Sequence, residues 1–286
     1  MVLLVIILRL LSYLPLGVLY WISDITAFLL AHVIKYRSEV IKRNLSHAFP
    51  DLNPQQQRIL MREFYKYLSD QLVETIKLQR LTRDQLSKRI HYVNPELMNR
   101  LINEKKNIVI LMGHCGNWEW AGAATAFSFN APTFPVYRKV KSPSFNSFYL
   151  RLRSRFGSTP ILDKNCIQEL SKVNSNFIVA MLADQSPRGL QGEWVDFLNQ
   201  ETCFFRGPEV LAKRIKNTEV ILAQIRRNGR GKYAVYFELP TQTWKENQGN
   251  LLINYAHFLE KEILQDPVNW LWSHNRWKTR QNQENA

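Results

Sequence analysis

His114 and Glu119 are the residues of this chain whose types and spacing point most directly to chemistry. They lie in Gly113-His114-Cys115-Gly116-Asn117-Trp118-Glu119-Trp120-Ala121-Gly122, directly after the apolar run Ile108–Met112. A carboxylate that holds one imidazole nitrogen fixes the tautomer and makes the other nitrogen more basic. That free nitrogen can then take a proton from an attacking hydroxyl or amine. Within one regular helix, five steps of about 100° would set the two residues roughly 140° apart, on different faces. They meet only if His114 sits in a loop and Glu119 in the first turn of the helix after it, with Gly113 and Gly116 freeing the turn. Backbone N–H groups at that helix start can stabilise an oxyanion. Two other readings stay open. One is a structural histidine near a helix start. The other is a Cys115 nucleophile of a hydrolase, because the segment is one residue short of a Gly-x-nucleophile-x-Gly elbow.

The elements that must position these residues alternate in type. The pattern of residues 54–78 places Ile59, Leu60, Phe64, Tyr67, Leu68, Leu72 and Ile76 at helical spacing, with Asn53 able to cap the start and Pro54 in the first turn. Strand-length apolar runs follow at Ile108–Met112, Phe134–Tyr137, Phe177–Ala183 and Val220–Ile225, and Tyr233–Leu239 alternates. Asn228-Gly229-Arg230-Gly231 reads as a hairpin turn between the last two. Helical stretches near 117–128, 144–156, 165–174 and 207–216 separate the strands. The expected fold is therefore α/β, a mostly parallel central sheet flanked by helices with an antiparallel carboxyl-side edge. Ligands collect at the carboxyl ends of strands in such sheets. Arg138 and Asp184 each follow a strand there, and they are read with Arg188, Gly116 and Asn117 as substrate-binding residues. A helix N-cap is the competing role for Asp184. A lone carboxylate is no metal site, and neither a metal nor a cofactor is expected.

Residues 1–34 differ from the rest, with only Arg9 and Asp24 charged, and the basic Lys35, Arg37, Lys42 and Arg43 follow. This predicts an amino-terminal hydrophobic helix, a membrane anchor over 1–34 that spans or lies in the interface, ahead of a catalytic domain over 35–286. The basic cluster would keep that domain on the cytoplasmic side. The 286 residues carry 38 Lys and Arg against 24 Asp and Glu, a net +14 that calls for an anionic partner. A mean hydropathy of −0.27 excludes a multi-span membrane protein. No nucleic-acid readout motif is present, so nucleic acid is not the expected partner. The stretch 138–155 is basic and amphipathic, and Trp270, Trp272 and Trp277 with Arg276 and Lys278 combine aromatics with cations suited to headgroups. Packing in the core is an equal expectation for two of those three tryptophans. Cys115, Cys166 and Cys203 are too sparse for a disulfide framework and suit a reducing compartment.

His-x-x-x-x-Glu directly after a buried strand, in Asn107-Ile-Val-Ile-Leu-Met-Gly-His-Cys-Gly-Asn-Trp-Glu-Trp120, resembles the lysophospholipid acyltransferase superfamily. It resembles most its branch of bacterial lipid A secondary (lauroyl/myristoyl-type) acyltransferases. Phe134-Pro135-Val136-Tyr137-Arg138, Ala183-Asp184-Gln185-Ser186-Pro187-Arg188 and the late Trp270-x-Trp272-x-His274-x-Arg276-Trp277-Lys278 extend the likeness over nearly the whole chain. Val195-Asp196-Phe197-Leu198 departs from it, where that branch usually has paired aromatics and glycine. The resemblance implies transfer of a fatty acyl chain from acyl carrier protein or a coenzyme A thioester to a hydroxyl of an anionic lipid acceptor. It implies a lipid A precursor as acceptor and the cytoplasmic face of the inner membrane as location. His114 would be the general base, Glu119 its orienting partner, and Arg138 an anion ligand. A lysophospholipid or aminolipid acceptor, or a non-catalytic membrane-surface scaffold, are the alternatives.

Overall fold

The computed structural model describes residues 2–187, 192–245 and 250–278. Its strands are β1 Ile90–Tyr92, β2 Asn107–Met112, β3 Thr133–Tyr137, β4 Ile161–Leu162, β5 Ile178–Leu182, β6 Glu193–Phe197, β7 Gln200–Phe204, β8 Thr218–Arg227 and β9 Tyr233–Glu238. Seven of them form one sheet in the order β1-β9-β8-β2-β5-β3-β4, and β6 and β7 form a separate hairpin. Every pairing in the large sheet is parallel except β8 with β9. The expected α/β class and its mostly parallel sheet are what the chain adopts. The antiparallel strand β9 is not an edge, however, because the short β1 pairs along its outer side. Three residues of mixed polarity at Ile90–Tyr92 carry too little pattern to be read as a strand.

β2 lies at the centre of the sheet, and that explains its unbroken apolar run. Ile108, Ile110 and Met112 pack into one buried cluster and Val109 and Leu111 into another on the opposite face. A strand covered on both sides has no polar face to show. The helix Trp118–Ser128 covers the first face with Trp120, Ala121, Ala123 and Ala124. The helices Pro54–Lys77 and Asn250–Gln265 help cover the second with Phe64, Tyr67, Leu252 and Leu259. Asn53 caps the long helix Pro54–Lys77 by accepting from Gln55 and Gln56 N–H, while the Gln56 side chain accepts in return from the Asn53 N–H. The loop Asn228–Lys232 closes the β8–β9 hairpin, with φ of +91° at Gly229 and +70° at Gly231.

The amino-terminal helices Val2–Leu11 and Leu16–Phe28 pack beside the helix Pro54–Lys77. Leu16–Val33 is 18 residues of helix, apolar and long enough to cross a membrane. Its polar side chains nevertheless bond to the body of the protein. Tyr20 Oη donates to Glu74 Oε1 at 2.9 Å, Ser23 Oγ to Asp70 Oδ1 at 2.7 Å, and Arg230 reaches Asp24 at 2.6 Å.

Candidate active site

The loop that carries His114 begins where β2 ends. In the sheet Met112 pairs with Leu182 of β5, and Ala183 N–H still donates to Met112 O at 3.1 Å. Two residues beyond each paired position are His114 and Asp184, so parallel neighbours in this register must bring them side by side. His114 Nδ1 lies 2.6 Å from Asp184 Oδ1. The other oxygen, Oδ2, accepts from the His114 backbone N–H at 2.9 Å and from Trp270 Nε1 at 2.8 Å. The carboxylate is buried, and burial opposes its charge. The adjoining His114 imidazole and these three donors nevertheless hold the Asp184 carboxyl well below the ordinary carboxylate range. An ionised Asp184 accepts from Nδ1–H, which leaves His114 Nε2 as the basic nitrogen. Nε2 is 3.3 Å from Gln185 Nε2, and the ring stands edge-on to Trp118 at 5.0 Å.

The partner of His114 is thus Asp184, and Glu119 stands elsewhere. Glu119 receives a two-pronged guanidinium contact from Arg153, with Nη2 at 2.5 Å from Oε1 and Nε at 3.1 Å from Oε2. Burial alone would lower the Arg153 pKa, but the adjacent Glu119 raises it, so the pair is a partly buried, charged fork. Arg153 comes from the helix Pro143–Ser154, the basic stretch seen in the sequence. Within that stretch, Arg155 Nη2 donates to Leu81 O at 2.7 Å and Arg151 is exposed, so only Arg153 of these three turns to the site. Nothing in the charge pattern separates the three.

His114, Glu119 and Arg153 line one cavity of about 630 Å³, and Asp184 is buried behind the histidine. Its other walls are Trp118, Tyr137, Tyr149, Gln185 and the apolar Val136, Leu150, Met181, Phe205 and Leu271. Arg138 and Lys164 stand on the same wall, with Arg138 Nε donating to Asp163 Oδ2 at 3.0 Å. The cavity therefore joins a hydrogen-bonded imidazole, cationic side chains and an apolar surface. A narrower apolar cleft adjoins it, lined by Met112, Gly122, Ala123, Pro135, Ala180 and Leu182. The cleft shares Trp118, Glu119 and Arg153 with the cavity wall. Among the described residues no cluster of three or more His, Cys, Asp or Glu side chains could hold a metal ion.

Gly116 and Asn117 do not line the cavity. Gly116 has φ of +55°, and a Cβ there would stand 2.6 Å from the Ile225 carbonyl oxygen. Its N–H donates to Asn269, and its carbonyl accepts from Tyr67 Oη and the Gln71 amide. Asn117 is fully buried. It caps the helix Trp118–Ser128 by accepting from Trp120 N–H at 2.9 Å, and it donates to Glu74 Oε2 at 2.6 Å. These two residues shape the turn and lie outside the cavity lining. Two of the amides near the helix start, Gly116 and Trp120, are committed to Asn269 and Asn117. Arg188 lies outside the described residues.

Cys115, the alternative nucleophile, is 1% exposed and faces away from the cavity toward Glu262 and Trp270. Burial pushes its thiol well above the ordinary range, so no thiolate is available. The tryptophan-rich tail is core. Trp270, Trp272 and Trp277 are all buried, Trp277 Nε1 donates to Thr202 Oγ1 at 2.7 Å, and Arg276 is 3% exposed with burial pushing its pKa down to about 10. Trp270 forms a bridge with Cys115 while its indole holds Asp184, so this segment buttresses the His114–Asp184 pair. His274 accepts from Ser186 N–H, and burial pushes it down to about 4, which keeps it neutral. Sequence reading had no pattern by which to assign Trp270 to Asp184.

The chain matches the family described as bacterial lipid A biosynthesis acyltransferase over residues 1–279. It is 24% identical over 279 residues to a lipid A biosynthesis acyltransferase of Haemophilus influenzae, covering 93% of this chain and 86% of that protein. It is 21% identical over 270 residues to the lipid A biosynthesis palmitoleoyltransferase of Escherichia coli, covering 93% and 87%.

Proposed function

Because the chain belongs to the bacterial lipid A biosynthesis acyltransferase family, we propose that its cavity transfers a fatty acyl chain from a carrier-protein or coenzyme A thioester to a hydroxyl of a lipid A precursor. His114 Nε2 takes the proton of the acceptor hydroxyl as its oxygen attacks the thioester carbonyl. Asp184 keeps Nδ1–H in place and stabilises the imidazolium formed. The tetrahedral oxyanion collapses, the carbon–sulfur bond breaks, and His114 returns its proton to the departing thiolate. An ester and a free thiol result, with no covalent enzyme intermediate.

The remaining groups divide the substrate between them. Arg153, held charged by Glu119, offers a cation to the oxyanion or to an acceptor phosphate. Arg138 and Lys164 suit the phosphates of the acceptor or of the donor's pantetheine arm. The apolar cleft beside His114 suits the acyl chain, and Gly122 leaves it open, since a Cβ there would meet nothing within 4 Å.

The observation that carries this reading is the 2.6 Å His114–Asp184 contact on the wall of that cavity. The test is transfer by the purified enzyme from acyl carrier protein and coenzyme A thioesters of several chain lengths to lipid A precursors, lysophospholipids and aminolipids, read by mass spectrometry. We expect an ester on the lipid A precursor and no product from His114→Ala at unchanged folding. Wild-type-like turnover by His114→Ala would overturn the mechanism, and a product only on another lipid would overturn the acceptor.

A further inference from the structure

The His114 ring is held between two consecutive residues of one loop. Asp184 lies 2.6 Å from its Nδ1, and the Gln185 amide nitrogen lies 3.3 Å from its Nε2. The strand register accounts for both contacts, since β5 ends at Leu182 beside Met112 of β2 and the residues after Ala183 flank the ring. Asp184 turns into the core at 2% exposed, whereas half-buried Gln185 lines the cavity.

The direction of the Gln185 contact follows from the proton count. Ionised Asp184 accepts from Nδ1–H, so Nε2 carries a lone pair and its neighbour must donate. The Gln185 NH₂ therefore faces the basic nitrogen, and among the described residues it makes no other hydrogen bond. An acceptor hydroxyl reaches Nε2 only by taking the place of this donor. When an oxygen at hydrogen-bond distance from Nε2 attacks a carbonyl, the oxyanion forms within about 5 Å of that nitrogen. An amide displaced from 3.3 Å on the same nitrogen reaches it by rotation of the glutamine side chain.

Several other donors around the site are engaged. Gly116 and Trp120 N–H go to Asn269 and Asn117, and Arg153 spends Nε and Nη2 on Glu119. A neutral amide also suits the step electrostatically. A second cation against the imidazole would oppose the imidazolium that must form there, whereas an amide dipole holds the oxyanion without that cost.

We propose that Gln185 is a catalytic amide, a neutral donor that rests on His114 Nε2, yields that nitrogen to the acceptor hydroxyl and then donates to the oxyanion. The hydroxyl proton passes to Nε2, the acceptor oxygen bonds to the thioester carbon, and the carbonyl electron pair moves onto oxygen, where Gln185 N–H bonds to it. As the oxyanion collapses, the carbon–sulfur bond breaks, the thiolate takes the proton from Nε2, and the amide returns to the freed nitrogen. Gln185 itself gains and loses no proton. The assignment rests on acyl transfer as the reaction of this cavity, and it leaves Arg153 to the acceptor phosphate.

The experiment compares purified wild type with Gln185→Met, similar in length without an N–H, and Gln185→Glu, similar in shape and without an N–H when ionised. Circular dichroism and urea midpoints verify folding, and either variant alone decides the question if the other fails to fold. We expect kcat to fall about 10²-fold or more in Gln185→Met and at least as far in Gln185→Glu, with KM within a few-fold. A thioether analogue of the thioester that wild type uses has no carbonyl oxygen, so it should inhibit wild type and Gln185→Met alike. A folded variant within a few-fold of wild-type kcat overturns the assignment, as does a raised KM at unchanged kcat. Thioether inhibition weakened in proportion to the loss of kcat would show ground-state binding and overturn it too. No product from wild type on any lipid overturns the acyl-transfer reading and this assignment together, whereas wild-type turnover retained by Gln185→Met overturns the assignment alone.

Discussion

Replacing Asp184 by asparagine tests the base assignment most sharply, because shape is kept and only the proton logic changes. Asp184 Oδ1 serves one donor, His114 Nδ1–H, whereas Oδ2 serves two, the His114 backbone N–H and the Trp270 indole. An asparagine has one carbonyl oxygen and one NH₂ to share among these three donors. Turning the NH₂ toward the pair at Oδ2 would strand two buried donors. Turning it toward His114 opposes one donor only, and that conflict disappears if the ring changes tautomer. The second arrangement therefore wins, with His114 accepting at Nδ1 and carrying its proton on Nε2. The nitrogen that must take the substrate proton is then already protonated. General-base catalysis is worth about 10²–10⁴ in rate, and a wrong-tautomer histidine loses most of it. We expect kcat for acyl transfer to fall roughly 10³-fold, about 4 kcal/mol of transition-state stabilisation, with KM changed by no more than a few-fold. Thiol release from an acyl thioester at saturating acceptor, followed from pH 6 to 9, supplies the assay. A variant within tenfold of wild type, with an unaltered pH profile, would refute the assignment.

Four further outcomes follow from the same geometry. Glu119→Ala and Arg153→Ala should each impair transfer, but the double variant should lose little beyond the worse single one, since each removes the same fork; additive losses in a double-mutant cycle would separate their roles. Cys115→Ala should keep substantial activity, within a few-fold of wild type, because the buried thiol takes no part; complete loss in a folded variant would restore the thiol mechanism. Gly122→Leu should fill the apolar cleft and move donor preference toward shorter chains by roughly two to four carbons, and an unchanged chain-length profile would place the acyl chain elsewhere. Glu262 is pushed up to about 8 by burial, so the folded state holds a proton that the unfolded chain releases near its ordinary carboxylate value. Stability should fall as pH rises from about 4.5 to 8, and Glu262→Gln should flatten that fall; urea midpoints for both proteins at pH 5 and 8.5 measure it, and parallel curves would contradict the assignment.

Much of the fold was legible because β2, β5 and the middle of β8 are covered on both faces and so read as unbroken apolar runs of strand length, with the partly buried β3 beside them. The hairpin β6–β7 and the helix Asn250–Gln265 were not read, and the first lies in a segment read only for its departure from a family pattern. Both His114 and Asp184 were recognised at strand carboxyl ends. Their pairing was not, because nothing in one sequence says that β2 and β5 are neighbours. The register Met112↔Leu182 supplies that fact, and the His114–Asp184 contact follows from it. Glu119 lies nearest in sequence and was therefore paired with His114. Charge misled in a related way, since Arg276 in the tail is buried while Arg9 and Lys35 at the other end are exposed.

The motif His-x-x-x-x-Glu therefore contains two half-sites rather than one dyad. Each half recruits its own countercharge from a distant part of the chain, Asp184 for the histidine and Arg153 for the glutamate. Separation has a chemical consequence. Had Glu119 oriented His114, Arg153 would stand at the cavity wall without its carboxylate, and substrate phosphate would compete with the base for local charge. With two closed pairs, the imidazole can gain a proton beside Asp184 while the guanidinium keeps a fixed position beside Glu119. The five-residue spacing that forbids a common helical face is then what the site requires. It sets the histidine in the loop and the carboxylate that holds Arg153 in the first turn of the helix, so that both face one cavity.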